Sequence, residues 1–261
     1  MLEVFLISFC LGSQEAKSLD SQALIRGGVW LPRLGGTIED GGTKVDFETN
    51  IDLRSRESVP MIEFSLAPIE DITLSMSFFD FSTSGSGEYV GNDVFGGMSL
   101  SQGDDWTAST QIQSVGFEAA WSVWKPYQTT ENATLSFAPV VGLRWFGVDA
   151  QLGNTTSSQE VEHKNSWISI QAGLEMAFRW DTRTILDWAD SISIEAQLLV
   201  GSMFGADGGA MASVQAGISI DFTPSIGGFF GYRLQELSAE DGDYTFDAGL
   251  QGLFVGGEIR F

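Results

Sequence analysis

Basic residues are scarce in this sequence: 13 Lys and Arg stand against 35 Asp and Glu, for a formal net charge of -22. Such a chain repels phosphate and offers no basic patch, which excludes nucleic acid as a partner. Cysteine occurs once, at Cys10, and histidine once, at His163. If the first 18 residues were removed no thiol would remain, so disulfides and thiolate chemistry would be excluded from the rest. No run of 18 apolar residues occurs, and therefore no helix is expected to cross a membrane. Phosphate-cradling glycine loops, a Gly-x-Ser-x-Gly elbow and zinc-ligand spacings are missing too. Proline is limited to 6 residues, whereas glycine reaches 31.

What is present is alternation. In Leu253 to Phe261 the odd positions (Leu253, Val255, Gly257, Ile259, Phe261) are apolar or small, and Glu258 and Arg260 fall between them. A period of two is a strand with one apolar face. The same pattern recurs through the chain. Ile62, Phe64 and Leu66 alternate with Glu63 and Ser65; Leu74, Met76 and Phe78 with Ser75 and Ser77; Val115, Phe117, Ala119 and Trp121 with Glu118. Leu135 to Trp145 carries Arg144 on its polar face, and Ile168 to Trp180 sets seven apolar residues against Ser169, Gln171, Glu175 and Arg179. Ile192 to Val200, Ala212 to Ile220 and Phe230 to Leu234 continue it, and Ile25 to Leu31 begins it with its phase blurred by Pro32.

An alternating last strand closed by a C-terminal Phe resembles the insertion signal of bacterial outer-membrane β-barrels, the class of small OmpA-like and porin-like barrels. The resemblance covers about Ala23 to Phe261. It implies an all-β, closed antiparallel up-and-down transmembrane barrel in the outer membrane of a Gram-negative-type bacterium. Outer-membrane lipid and, through Phe261, the barrel-assembly machinery are the implied partners. The count of strands is ten, with twelve as the alternative. It turns on Lys44 to Leu53, which is expected to be a loop ribbon whose Val45, Phe47, Ile51 and Leu53 pack over the barrel mouth. Residues 1–18 read as a secretory signal with an apolar run from Val4 to Leu11, and Glu3 in place of a basic start reads as a truncation of that signal. Residues 19–261 then form a single barrel with long acidic outer loops.

The polar faces are expected to line a confined wet lumen with Glu63, Glu118, Arg144, Glu175, Arg179, Glu195, Arg233, Glu258 and Arg260, joined by Arg26 if the first strand sets Ile25 outward. Those charges suit either a structural network filling a narrow bore or a constriction that selects solutes. Ser82 to Trp106 and Gly153 to Lys164 read as long polar outer loops. Acidic residues crowd such loops: Glu39, Asp40, Asp46, Glu48 and Asp52, Asp104 and Asp105, then Glu240, Asp241 and Asp243. They read mainly as solvated surface, with divalent cations as a lesser possibility. His163 reads as exposed loop surface. Trp121, Tyr127, Trp180, Trp188, Phe222 and Phe261 are expected at the periplasmic rim, and Trp106, Trp145 and Phe204 at the outer one. No catalytic, cofactor or metal residues are assigned. The function expected is a non-enzymatic structural or surface-interaction barrel. A small-solute channel and a hydrolase using His163 are the alternatives.

Overall fold

The computed structural model describes residues 23–261 apart from 52, 54, 70, 130, 131 and 206. The proposed signal segment and Cys10 lie outside the described residues. Fourteen strands run in order: β1 (Ala23–Asp40), β2 (Thr43–Asp46), β3 (Val59–Ile69), β4 (Ile72–Glu88), β5 (Asp93–Phe95), β6 (Met98–Leu100), β7 (Asp105–Trp121), β8 (Trp124–Thr129), β9 (Ala133–Asn154), β10 (Gln159–Asp181), β11 (Ser191–Phe204), β12 (Gly208–Asp221), β13 (Ile226–Asp241) and β14 (Tyr244–Arg260). Ten of them, β1, β3, β4, β7 and β9 to β14, pair antiparallel with their neighbours, and β14 returns to β1 from Leu24↔Arg260 to Asp40↔Tyr244. The sheet is closed. Closure satisfies every wall strand's ladder without an edge, which is what a sheet in lipid requires.

The remaining four strands decorate this wall. β2 folds back on the outer end of β1, β5 and β6 form a separate hairpin, and β8 lies along the lower end of β9. Lys44 to Leu53 is thus outside the wall, as expected, and Val45, Phe47, Ile51 and Leu53 are all buried. Gly41 and Gly42 make the turn between β1 and β2 at φ of 61° and 80°, where a side chain would be strained.

A belt of exposed apolar side chains circles the outside: Ile25 and Val29 on β1, Leu74 and Phe78 on β4, Leu143 on β9, Leu174 on β10, Val214 on β12 and Val255 on β14. Water would not tolerate that belt. Lipid demands it.

Apart from β3, which has 11 residues, the wall strands are longer than the roughly 9–11 residues that cross an apolar layer. β9 and β10 have 22 and 23 residues. The excess lies at the outer end and corrects two expectations. Most of Ser82 to Trp106 is strand, because β4 and β7 stay paired out to Glu88↔Asp105, with only the β5–β6 hairpin between them. Gly153 to Lys164 is a tight turn at 155–158 between β9 and β10, paired out to Gln159↔Asn154. The acidic outer segments are therefore ordered strand and hairpin more than long loop. Of the girdle residues, Trp121, Trp180, Trp188, Phe222 and Phe261 face outward, as do Trp145 and Phe204. The side chain of Tyr127 lies outside the described set. Trp106 does not belong to the outer girdle: it is 4% exposed and packs inward.

Candidate functional site

The bore of the barrel has two storeys, set by which residues alternate inward at each height. In the half nearer Ala23 the inward positions are charged or small and polar. Arg26 lies at the centre of one network, with Glu258 at 2.8 Å, Glu195 at 3.0 Å and Glu63 at 3.9 Å. Arg144 forms a second, donating to Glu118 at 2.7 Å, Ser77 at 3.1 Å and Ser114 at 3.3 Å. Gly116 stands opposite Arg144 in the register, and a Cβ there would come within 2.5 Å of the guanidinium carbon. Only glycine leaves that guanidinium its space. At the rim, Asp221 takes Arg179 at 3.2 Å and also Arg260, which reaches Glu258 as well. Arg233 donates to the Gln215 amide oxygen at 2.7 Å and lies 5.7 Å from the ring of Trp30. Arg26, Glu63, Glu118, Arg144, Glu175, Glu195 and Arg233 line a cavity of about 210 Å³ in this storey, whereas Arg179, Glu258 and Arg260 belong to the ion-pair network at its rim and do not line it.

The outer storey overturns the expectation of a wet lumen. From Trp30 upward the inward positions are Leu34 and Ile38 on β1, Phe79 and Phe81 on β4, Ile112 on β7, Phe146 and Val148 on β9, Trp167 on β10, and Phe246 and Leu250 on β14. They join Phe47, Ile51 and Leu53 from the β2 ribbon, and Tyr89, Phe95, Met98 and Leu100 from the β5–β6 segment, in one buried cluster. Trp30 meets Phe79 edge to face at 5.3 Å. Above the membrane the wall stands in water, so its outward residues turn polar and its core moves inside. Asp80, facing outward there, accepts from Gln111 and Gln113.

His163 sits at the top of this storey, on β10 and not in a loop. Its Nε2 is 2.8 Å from Asp40 Oδ2. The ring stacks on Tyr244 at 4.1 Å and meets the edge of Phe95 at 6.3 Å. The charged neighbours Glu162 and Lys164, which make the sequence read as exposed here, point outward and pair with each other. Burial, with the Asp40 and Asp149 carboxylates, holds the Tyr244 phenol above its ordinary range.

Three of the acidic outer residues, Asp46, Glu48 and Asp104, are engaged in local structure. Asp46 Oδ1 accepts the backbone N–H groups of Glu48 and Thr49 at 2.8 and 2.7 Å, and Glu48 pairs with Arg33 at 3.0 Å. Asp104 accepts from Ser101 and Asn154, both at 2.8 Å. Asp52 lies outside the described residues. Among the described residues no three acidic, histidine or cysteine side chains converge to hold a metal ion, so the divalent-cation expectation gains no site.

No protein-family model matches the chain, and no curated protein is similar to it in sequence. Solved structures similar to it include the outer membrane protease OmpT from Escherichia coli, at 8% identity over 95% of this chain and 100% of that one, with a TM-score of 0.47. Ail, the attachment invasion locus protein of Yersinia pestis, is 12% identical over 92% and 100%, at 0.40. Neisserial surface protein A is 10% identical over 92% and 98%, at 0.36. The architecture rests on the chain's own geometry. Ten strands closed edge to edge, apolar where they meet lipid and polar outside above it, make this protein a closed transmembrane β-barrel.

Proposed function

We propose that this barrel conducts no solute and serves the outer membrane as a structural and surface-interacting protein. The observation that carries the reading is the buried cluster across the outer half of the bore, in which Trp30, Leu34, Phe81, Phe146 and Phe246 are each 0% exposed. Water and ions would have to pass a packed apolar layer roughly as costly to wet as a protein core. What remains presented outward is a stiff crown of extended hairpins with acidic tips. Strands make it rigid, and the β2 and β5–β6 segments brace it from within.

Two other readings have less support. A channel needs a continuous polar path, and the polar storey ends under Trp30. A hydrolase using His163 would need its imidazole free to take a proton from substrate. Here Asp40 takes Nε2, and Tyr244 and Phe95 pack against two sides of the ring, which supports a fastening role. Phe261 donates its backbone N–H to the Ala23 carbonyl at 3.0 Å, so it extends the β14–β1 seam. We assign it the insertion signal read by the assembly machinery.

Reconstitution into planar bilayers tests the main reading. Purified wild-type protein is expected to give no steady conductance steps. Reproducible open levels would overturn the closed-bore proposal.

A further inference from the structure

The polar storey holds more than a scaffold of paired charges. Arg26 and Arg144 have carboxylate partners, but Arg233 and Glu175 have none among the described residues, and both line the same cavity of about 210 Å³. Arg233 is at its roof. Its guanidinium lies over Trp30, the lowest ring of the apolar cluster, and is held by the Gln215 amide oxygen. Glu175 is lower: on β10 it lies six residues closer to the periplasmic end than Ser169, the residue registered with the roof's other guanidinium, Arg144. Glu195, registered with Ala177, is lower still, and its side chain keeps 32% of its exposure. The cavity therefore has guanidinium groups at its roof, and below them Glu175 beside the ion pair of Arg26 with Glu195. It is closed toward the outer face by the apolar cluster, so a ligand would enter from the periplasmic end, past the ion pairs of Asp221, Glu258 and Arg260.

An unpaired buried charge is costly, and two of opposite sign facing one cavity are best satisfied together. A simple anion would neutralise Arg233 and leave Glu175; a simple cation would do the reverse. We infer that this cavity is a periplasm-facing binding site for a small zwitterion of the amino-acid class, its carboxylate on Arg233 and its ammonium on Glu175. A guanidinium offers a planar pair of N–H donors that matches a carboxylate. An ammonium donates three hydrogen bonds, which suits Glu175 with Glu195 nearby. At about 30 Å³ per water, the space equals roughly seven waters, enough for a compact amino acid and too little for a peptide. The site goes beyond the non-conducting role, since a blind cavity binds without transporting.

Titration calorimetry on the folded protein in detergent micelles tests this, with glycine, β-alanine and 4-aminobutyrate as probes and propionate and propylamine as single-charge controls. At least one of the three zwitterions is expected to bind saturably, at least about tenfold more tightly than either control, the difference one charge-assisted contact makes. Arg233→Gln, which keeps a donor for Gln215, and Glu175→Gln should each weaken that binding at least about tenfold while the protein keeps its folded, heat-modifiable migration. Absence of saturable binding by all three probes would overturn the inference. So would equal binding of propionate, which marks a plain anion site, or binding unchanged in both variants. Bilayer conductance is read separately, so either proposal can fail while the other stands.

Discussion

At the scale of single residues, the two sides of the wall obey opposite rules at the two heights, and point substitutions should expose this. Leu174 is 59% exposed in the lipid belt, and Leu174→Arg should cost roughly 2–4 kcal/mol, as a charge at mid-membrane depth does. Phe81 is buried inside the outer storey, and Phe81→Ala should cost about 3–5 kcal/mol through the cavity it leaves. Folding titrations in lipid vesicles measure both. A loss under ~1 kcal/mol for Phe81→Ala would mean that the bore is wet after all. Tyr244 adds a pH dependence. Its phenol is neutral and raised by burial and by Asp40 and Asp149, so the folded state holds that proton longer than the unfolded chain does. The associated stability is complete below the ordinary tyrosine value of about 10 and is lost as pH rises through the folded value. Tyr89 shares the direction, through burial and the hydrogen bond to Asp93. Denaturant titrations at rising alkaline pH should show stability falling, and falling less steeply in Tyr244→Phe, which keeps the stacking on His163. An identical slope in the variant would exclude Tyr244 as a cause.

At the scale of elements, the membrane-crossing part of each strand was legible in the sequence because lipid imposes strict alternation, and the outer extensions were not because the alternation changes phase. On β4 the apolar positions are Leu74, Met76 and Phe78, then Phe79 and Phe81, so the apolar face moves from outside to inside at the Phe78–Phe79 step. Trp145 and Phe146 mark the same switch on β9, and Trp167 and Ile168 on β10. Adjacent aromatics where an apolar face changes sides were the available signal. Read as one continuous phase, the segments beyond them look like polar loop with stray aromatics, which is how Trp106 and His163 were misplaced. The ten-strand count survived because Asp46 and Glu48 on the ribbon have no place in a wall. The charged residues of the polar storey could be assigned to the inner face by parity alone, yet nothing in parity says which arginine meets which glutamate. Those contacts depend on shear between distant strands, such as Arg26 with Glu195. The terminal strand yields its own prediction. Phe261 is 69% exposed and tied to the wall by one backbone bond, so its deletion should hardly change the stability of a barrel already folded. As an insertion signal it should nonetheless be needed for assembly in cells, where heat-modifiable migration reports the folded fraction. Val90→Ala, on an outer tip 72% exposed, is the control expected to assemble normally. Normal assembly without Phe261 would remove its signalling role.

At the scale of the whole molecule, one cylinder carries two solvents' worth of design. Its lower half is a membrane protein, apolar outside and polar within; its upper half is a water-soluble barrel with a core of its own. The main barrier to conduction should then reside in the upper half, since the lower storey is lined by polar and charged groups that water can wet. Phe81 and Phe146 lie at neighbouring heights on β4 and β9, with the register Phe81↔Ile112 and Ser114↔Phe146 placing them one residue pair apart across β7. Replacing both with serine removes two rings from one layer and supplies hydroxyls that water can wet. The outer wall would keep its pairing, because all ten ladders are made by backbone groups that the change does not touch. The double variant that retains folded migration is expected to show conductance steps in planar bilayers where wild type shows none. It should favour cations, because the path above the cut is rimmed by Asp40, Asp93 and Asp241 and the storey below carries Glu63, Glu118, Glu175, Glu195, Glu258 and Asp221 against five arginines. Reversal potentials in a salt gradient measure that preference. A folded double variant that stays silent would show that the two rings are not the barrier, and an anion preference would show that the arginines, not the acids, govern the interior.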